Sequence, residues 1–332
     1  MDRREHPPAP GANAPTDAPA VTGRAGAAGA VPALPALAAV AVTVVLWGSS
    51  FVVIRATGTE LSPGPMALLR IVVATVVLAP VALRAGVLRR VPRGRLLVLL
   101  VLYGALWFAG YHLALNAAEQ HIDAGTAALF VNVAPILIAV GAGTVLGEGL
   151  PRRLLVGGVV GLVGVSIMSL GAASGGLGGS GAAGGVALAL LAAVLYAVSV
   201  LLQKVILRRI DGLTATWLGF VVGTVVLLPF VPALAEELRT ATTSAVLGVV
   251  YLGVFPTALA FSTWAYALAR IPAGRLGMVA YLVTVVSVLL SWAFLGEVPT
   301  ATTAAGGVVA LAGVALSRGV RRRRRGDASA AR

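Results

Sequence analysis

The sequence predicts an all-α integral membrane protein with ten transmembrane helices in two five-helix repeats of inverted topology. Three observations lead to this fold class. The 332 residues are 58% hydrophobic and only 11% charged, ten apolar stretches have membrane-spanning length, and the first half of the chain recurs in the second. Because soluble domains carry about 25% charged residues, no soluble core could bury this much apolar surface.

The ten apolar stretches are each close to the ~20 residues that an α-helix needs to cross a bilayer. They are continuously apolar rather than alternating, and open strands cannot satisfy their backbone in lipid, so a sheet barrel is excluded. The expected helices cover approximately residues 34–54, 64–84, 96–117, 125–146, 154–173, 185–205, 213–233, 244–265, 274–295 and 302–318.

The chain divides into two tails, two repeats and a linker. Residues 1–31 are rich in Ala, Pro and Gly with almost no bulky apolar side chain, which predicts a disordered cytoplasmic tail. A Gly-rich linker at 174–184 separates a first repeat at 32–173 from a second at 185–318. The basic tail 319–332 is expected at the cytoplasmic surface, near anionic lipid headgroups.

Positive charges fall almost entirely on one side of the expected helices. With the N-terminus inside, the cytoplasmic loops hold residues such as Arg90, Arg152 and Lys204, while Arg55 and Arg239 are exceptions on the other side. This positive-inside pattern predicts a multi-pass inner-membrane protein with both termini in the cytoplasm. It also accounts for the net charge of +13, so nucleic acid is not an expected partner.

The second half of the chain repeats the first at an offset of 149 residues. Residues 35–165 align with 184–314 without a gap, with about 30 identities in 131 positions, roughly twice what the composition alone would give. The identities cluster in blocks that match Thr75–Pro80 with Thr224–Pro229, Ile122–Gly125 with Ile271–Gly274, Leu146–Glu148 with Leu295–Glu297, and Gly157–Val165 with Gly306–Val314.

An odd number of helices in each repeat means that the second copy enters the membrane from the opposite side. Such inverted repeats place two similar halves around an axis in the membrane plane, with a shared site near the midplane that can open to either side. The Gly-rich blocks alone could reflect close helix packing, but matching positions in all five helices favour a transporter.

Short motifs follow one another in a characteristic order along the chain. They are Trp47-Gly-Ser-Ser-Phe51 with Arg55, Ser62-Pro63, Arg70, Pro135, the Leu-Gly-Glu endings at Glu148 and Glu297, Thr257-Ala-Leu-Ala-Phe261, Ala265-Tyr-Ala-Leu268 and Ile271-Pro272. Over roughly residues 35–316 this combination resembles the EamA family of the drug/metabolite transporter superfamily. The resemblance implies ten helices with cytoplasmic ends and, typically, export of amino acids or other small metabolites.

One position departs from the family pattern. Thr284 stands in the ninth helix where family members commonly carry proline, at the position that corresponds to Pro135 in the fourth. The kink that Pro135 makes available in the fourth helix therefore has no proline counterpart in the ninth. We treat Pro135 as a structural or gating candidate.

No constellation of catalytic or metal-binding residues is visible in the sequence. It contains no HExxH, no phosphate loop and no carboxylate pair within the expected spans, and its three histidines are scattered. We therefore expect a transporter without cofactor or metal, not an enzyme. A broad-specificity drug exporter, and a receptor or regulatory scaffold without transport, remain the alternatives.

Two ionisable residues lie within the expected spans, where charge is costly. His112 in the third helix is a candidate for proton coupling, for solute contact or for a neutral packed ring. Arg70 in the second helix has Gly219 as its repeat mate, so the duplication does not require it. A structural or gating role, with the side chain reaching the interface, is favoured for Arg70 over solute contact.

The substrate-binding candidates are aromatic or polar residues of the inner helix faces. Trp47 and its repeat mate Tyr196 fall near the midplane, too deep for the interfacial belt. Tyr111, His112 and Asn116 turn toward one side of the third helix. A cavity between the repeats could therefore hold a small solute, although packing is the competing interpretation for such aromatics. With no midplane carboxylate, the solute is expected to be uncharged or zwitterionic rather than a permanent cation.

The remaining candidates form repeat pairs in the fourth and ninth helices. Asn132 and Tyr281 are mates, and a membrane-buried Asn must find a partner. Glu148 and Glu297 end these two helices, where a negative charge opposes the helix dipole and needs water or a cation. Arg152 could serve Glu148, as could its neighbour Arg153, and a structural or topogenic role is favoured for both glutamates.

Overall fold

The structure, a computed structural model, describes residues 34–57, 60–122, 127, 130–172, 182–295 and 300–318. Helices and the short turns between them make up these residues, which confirms the all-α class for this part of the chain. The two predicted tails, most of the predicted linker and Glu297 lie outside the described residues.

The helices of the first half lie at the apolar stretches that the sequence marks. The third span is continuous, because α3 passes through a π-helical segment directly into α4. The elements are α1 (Leu34–Thr57), α2 (Pro63–Arg84), α3 (Arg95–Gly104), the π segment Ala105–Tyr111, α4 (His112–Ala118), α5 (Ala134–Thr144) and α6 (Arg152–Ala172).

The second half follows the same order with more interruptions. A second π segment joins α10 to α11, and short helices flank the eighth and thirteenth. The elements are α7 (Ala182–Ile206), α8 (Gly212–Leu227), α9 (Val231–Thr240), α10 (Thr243–Leu252), the π segment Gly253–Leu259, α11 (Ala260–Arg270), α12 (Ala273–Gly277), α13 (Ala280–Leu295) and α14 (Ala301–Arg318).

Six helical stretches within the described residues are long and apolar enough to cross a bilayer, and three further apolar helices are shorter. Bulky apolar side chains such as Leu247, Phe294 and Val308 face outward, as expected of a chain that lipid surrounds. The long stretches are Pro63–Arg84, Arg95–Ala118, Ala183–Ile206, Gly212–Thr240, Thr243–Arg270 and Ala273–Phe294, and the shorter ones Leu34–Ser50, Ala134–Thr144 and Ala301–Ser317.

The two π segments occupy nearly equivalent positions of the two repeats, and in each a side chain bonds a carbonyl five residues back. Pro256 has no N–H and cannot continue the regular helical ladder, and the Thr257 hydroxyl donates to the Leu252 carbonyl at 2.7 Å. In the first repeat His112 Nδ1 lies 3.0 Å from the Trp107 carbonyl. Such π-bulges are frequent at functional sites.

The predicted fourth and ninth spans, one in each repeat, are also interrupted. Turns at Asn132–Val133 and at Met278–Val279 separate the helices on either side. The ninth span thus breaks without a proline, so the Thr284 substitution does not remove the irregularity. Close packing accompanies it, since a Cβ on Gly277 would lie 3.0 Å from Ile138 Cγ2 on the facing span.

Side chains tie the repeats together at both ends of the molecule. Where α2 and α10 begin, Glu60 accepts hydrogen bonds from the Thr242 backbone N–H at 2.7 Å and from its hydroxyl at 2.9 Å. Glu237 accepts in the same way from the Ser62 N–H at 2.9 Å and from its hydroxyl. These two reciprocal contacts, which we call the carboxylate clasp, bind the start of a helix in each repeat to a carboxylate of the other.

At the opposite end, one carboxylate and the chain's single lysine hold the break between α11 and α12. Lys204 Nζ donates to the carbonyls of Leu268 at 2.5 Å and Ile271 at 2.7 Å. Glu148 accepts from the N–H groups of Ala273 at 3.0 Å and Gly274 at 3.2 Å. Each charge thus matches the helix end that it caps.

Candidate solute-binding site

An aromatic cluster fills the interior where elements of both repeats meet. The Trp107 ring centroid lies 5.5 Å from that of Tyr196 and 5.1 Å from that of Phe261. Trp47 adds its ring at 5.0 Å from Trp264 and 5.3 Å from Phe261. The structure therefore brings Trp47 of α1 and Tyr196 of α7 to one cluster, held by residues of the first π segment and of α11.

Tyr111 and His112 extend this cluster along the third span. The Tyr111 centroid lies 5.8 Å from Tyr196 and 5.2 Å from the His112 ring. When His112 Nδ1–H donates to the Trp107 carbonyl, Nε2 keeps the acceptor lone pair of the neutral ring. That nitrogen has no hydrogen-bond partner among the residues that the structure describes, so it is available to a solute or a proton.

Two hydroxyls of α7 are buried at the cluster without any hydrogen bond in the described structure. Tyr196 is 7% exposed and Ser199 is 0% exposed, and neither hydroxyl has a partner. One turn further on, Gln203 is satisfied, since it donates to Tyr103 OH at 2.9 Å and accepts from Trp264 Nε1 at 3.1 Å. Because buried polar groups are normally paired, the two unpaired hydroxyls are the candidates of this cluster for contact with a ligand.

Arg70 carries a buried positive charge beside this group. Arg70 is only 8% exposed, and its Nε donates to the Thr257 hydroxyl at 2.6 Å. Tyr111 and His112 lie close enough to interact with it electrostatically. Within the described residues no carboxylate lies at ion-pair distance from Arg70.

Glu119 follows α4 directly, beyond the end of the third long stretch. Burial raises the pKa of this carboxyl to about 7, because the charged form loses its hydration. Glu119 also interacts electrostatically with Tyr111. Burial thus favours the protonated form of a carboxyl near the cluster.

A narrow cleft runs from the cluster between α1, α11 and the interruption before α13. Its empty space amounts to about 200 Å³, yet no part is wide enough for a water molecule. Trp47 lines this cleft, and its Nε1 donates to the Pro256 carbonyl at 3.1 Å. The lining residues are Val40, Thr43, Val44, Trp47, Trp264, Val279, Ala280 and Val283.

Three predicted binding residues have protein partners of their own. Asn116 Nδ2 donates to the Pro63 carbonyl at 3.1 Å, which joins the third span to the start of α2. Asn132 Nδ2 donates to Thr284 Oγ1 at 3.3 Å, between the interrupted fourth and ninth spans. Tyr281 lies in a separate buried cluster, where its hydroxyl donates to the Gly158 carbonyl at 3.2 Å.

The structural candidates have defined surroundings where they are described. Pro135 is buried in the first turn of α5, directly after the break at Asn132–Val133. The contact found for Glu148 is the cap on Ala273 and Gly274, rather than the expected contact with Arg152 or Arg153. The sequence predicts a cation beside Glu148, and the backbone amides at the start of α12 provide the positive partial charge instead.

Phe261 and Trp264 belong to the cluster but are not among the binding residues that the sequence predicts. Phe261 is the repeat mate of His112, so the offset that paired Trp47 with Tyr196 could have found it. Trp264 corresponds to Leu115, and nothing in the repeat distinguishes it. Its position one turn beyond Phe261 on α11 is the signal that was available.

The sequence and the fold of this chain both match known proteins. The sequence model of the EamA-like transporter family matches residues 34–170 and again 183–319. The chain resembles a solved crystal structure with a TM-score of 0.70 at 23% identity, over 85% of this chain and 96% of that one. At that identity the likeness concerns the fold alone.

Named relatives agree with the family match. A probable terminal-alkyne amino-acid exporter of Streptantibioticus cattleyicolor is 35% identical over 83% of this chain and 90% of the relative. The uncharacterised transporter YdfC of Bacillus subtilis is 31% identical over 82% and 87%, and a probable amino-acid metabolite efflux pump of Salmonella typhimurium is 26% identical over 83% and 92%. The chain therefore belongs to the EamA-like transporter family.

Proposed function

We propose that this protein is a ten-span secondary transporter of the inner membrane that exports amino acids or related zwitterionic metabolites by alternating access. The observation that carries the proposal is the Tyr196 hydroxyl, buried without a partner in an aromatic cluster to which both repeats contribute. Small-molecule sites combine apolar walls with a few such convergent polar groups. The names of two relatives, an amino-acid exporter and an amino-acid metabolite efflux pump, support the solute class.

The carboxylate clasp supports the inverted arrangement of the repeats. It joins Ser62 at the start of α2 and Thr242 at the start of α10 to the same end of the molecule. Since α2 and α3 run in opposite directions across one span each, α3 begins at the other end. The repeat mates α3 and α10 therefore start at opposite ends, as inverted repeats require.

In this proposal the aromatic cluster binds the solute, and the two ends of the molecule open in turn. Trp47, Tyr111 and Tyr196 contact it with their rings, while His112 and Asn116 supply hydrogen bonds. Asn132 and Tyr281 contribute as the interrupted fourth and ninth spans move. Glu148, with Glu297 as its repeat mate, and Pro135 act at those spans, and both chain termini lie in the cytoplasm, with the basic C-terminal tail beside anionic lipid.

The direct test is counterflow in proteoliposomes that contain only this protein. Vesicles loaded with one unlabelled amino acid should accumulate the labelled form against its gradient, and protein-free vesicles should not. Absence of counterflow for every amino acid and small metabolite tried would favour a receptor or scaffold. A preference for quaternary ammonium compounds would favour a drug exporter.

His112 is proposed to carry the coupled proton, because its ring lies in the cluster and the contact found for it among the described residues uses Nδ1. His112→Gln should largely remove the effect of a pH gradient on uptake while gradient-free exchange stays measurable. If pH-driven transport persists in this variant, His112 does not carry the proton.

A further inference from the structure

We propose that the guanidinium of Arg70 binds a carboxylate of the transported solute, so that a free carboxylate is required for recognition. The inference rests on the proposed function and deepens it, since it names the chemical group by which the solute is chosen. It assigns to Arg70 a contact with the solute instead of the structural role that the sequence favours.

The balance of charge around Arg70 favours an anionic ligand. Arg70 is 8% exposed and lies in the second turn of a long apolar helix, where an unpaired charge costs several kcal/mol. The only hydrogen-bond partner found for its side chain within the described residues is the neutral Thr257 hydroxyl. A buried cation in such a place is normally paired with an anion, and a carboxylate of the solute would supply that anion.

The orientation of the Arg70 guanidinium also favours a carboxylate. Thr257 Oγ1 accepts from Arg70 Nε at 2.6 Å and itself donates to the Leu252 carbonyl at 2.7 Å, so the second π segment fixes the Nε edge. The two terminal nitrogens have no hydrogen bond to the described protein. Arginine binds carboxylates with two parallel N–H groups, and at least this pair of donors remains for the solute.

The second repeat uses the position equivalent to Arg70 in a different way. The repeat mate of Arg70 is Gly219, and a Cβ there would lie 2.6 Å from Tyr103 Cε1, so the second repeat uses the equivalent position for close packing. An arginine at this place is therefore no requirement of the five-helix unit. Only the first repeat carries the arginine, as expected for a group that binds a single solute molecule.

The surroundings of Arg70 suit a zwitterion. Tyr111 interacts with Arg70 and lies 5.8 Å from Tyr196 between ring centroids, so it joins the charge to the aromatic cluster. A carboxylate on Arg70 would leave the ammonium of an amino acid near these rings. Aromatic faces attract cations, and the unpaired Tyr196 hydroxyl can accept a hydrogen bond from the ammonium.

The test compares three ligands on four proteins in proteoliposomes. The ligands are the proteinogenic amino acid that gives the largest counterflow, its amide and its decarboxylated amine. The proteins are wild type, Arg70→Gln, Arg70→Lys and the matched control Arg239→Gln, which removes an exposed arginine paired with Glu236. Binding is followed by the fluorescence of the cluster tryptophans and transport by counterflow.

Wild type and Arg239→Gln should prefer the amino acid over its amide and amine at least tenfold. Arg70→Gln should lose this preference through a drop in amino-acid affinity on the order of 100-fold, with amide affinity within about threefold of wild type, and Arg70→Lys should retain part of it. An unchanged preference in Arg70→Gln would overturn the inference.

If Arg70→Gln fails to fold, the three ligands on wild type still test whether a free carboxylate is required for recognition. Equal handling of the amino acid and its amide by wild type overturns the role of Arg70 while the proposed transport stands. No counterflow of any amino acid by wild type means instead that the proposed function is wrong.

Discussion

The Tyr196 hydroxyl offers a way to separate solute binding from folding. Because it is buried without a hydrogen bond, Tyr196→Phe removes a desolvated group and should leave the midpoint of thermal unfolding unchanged or slightly higher. Solute affinity should fall by about 0.5–1.5 kcal/mol, the net value of one hydrogen bond. Tyr196→Ala should cost about 1–3 kcal/mol of affinity, since the ring contact is lost as well.

Trp47 is the comparison residue in the same titrations. Trp47→Ala should also weaken affinity by about 1–3 kcal/mol, but it should lower stability too, because Nε1 loses its bond to the Pro256 carbonyl. Unchanged transport in Trp47→Ala and Tyr196→Ala, with normal expression, would show that the solute binds elsewhere.

Glu119 should make stability depend on pH. Its pKa is about 7 against an ordinary value of 4.5, so the folded protein binds this proton more tightly than the unfolded chain. The stabilisation is complete below about pH 4.5 and is lost as pH rises through about 7. The thermal midpoint of wild type should therefore fall over this window. Glu119→Gln should flatten the profile, and the exposed control Glu236→Gln should not; an equal slope in all three proteins would contradict the assignment.

Individual residues show where sequence reasoning reaches its limit. The repeat offset identified Trp47 and Tyr196, because both mates are aromatic and lie deep in the span. It could not identify Trp264, whose mate Leu115 is aliphatic. The partner of Glu148 could not be predicted from the sequence either, because the N–H groups of Ala273 and Gly274 are free to bind a carboxylate only where the chain breaks between α11 and α12.

At the scale of the elements, hydropathy predicts where helices lie but not how they deviate from regularity. The apolar runs mark the helices within a few residues. The π segments and the breaks at Asn132–Val133 and Met278–Val279 are not visible in hydropathy, because apolar composition is the same on both sides of them. Prolines mark two of these irregularities, Pro256 in the second π segment and Pro135 directly after the break at Asn132–Val133. The first π segment and the break at Met278–Val279 have no proline and arise from packing in the folded protein.

The last helices of the two repeats, α6 and α14, approach so closely that only glycine fits between them. A Cβ on Gly164 would lie 2.2 Å from the Ala310 backbone nitrogen, and a backbone atom cannot rotate away. Gly164→Ala should therefore lower stability by about 1–3 kcal/mol through overpacking, measured by thermal unfolding in detergent.

Gly184 in α7 is the matched control for this substitution. A Cβ there would meet nothing within 4 Å, so Gly184→Ala should be neutral or stabilising by up to about 1 kcal/mol through higher helix propensity. Equal stability of the two variants would mean that α6 and α14 are not in such close contact.

For the whole molecule, two sets of contacts hold the ends of the described conformation. Glu60 and Glu237 bind across the repeats at one end, and Lys204 and Glu148 hold the break after α11 at the other. The hydrogen bonds of the carboxylate clasp are exposed, where single pairs contribute little, so this end can open at modest cost. Contacts that break at modest cost suit a transporter that must open to each side in turn.

The orientation of the whole molecule can be tested directly, because the sequence contains no cysteine. Arg90 and Ala235 are both exposed, and the proposed topology places five spans between them, so they lie on opposite sides. In intact cells an impermeant maleimide should label Ala235→Cys, and Arg90→Cys should react only after permeabilisation, since the positive-inside pattern puts Arg90 in the cytoplasm. The buried control Ala74→Cys should stay unlabelled in both conditions. The reverse pattern would invert the orientation, and labelling of both positions from one side would mean that an even number of spans separates them, which the ten-span inverted repeat does not permit.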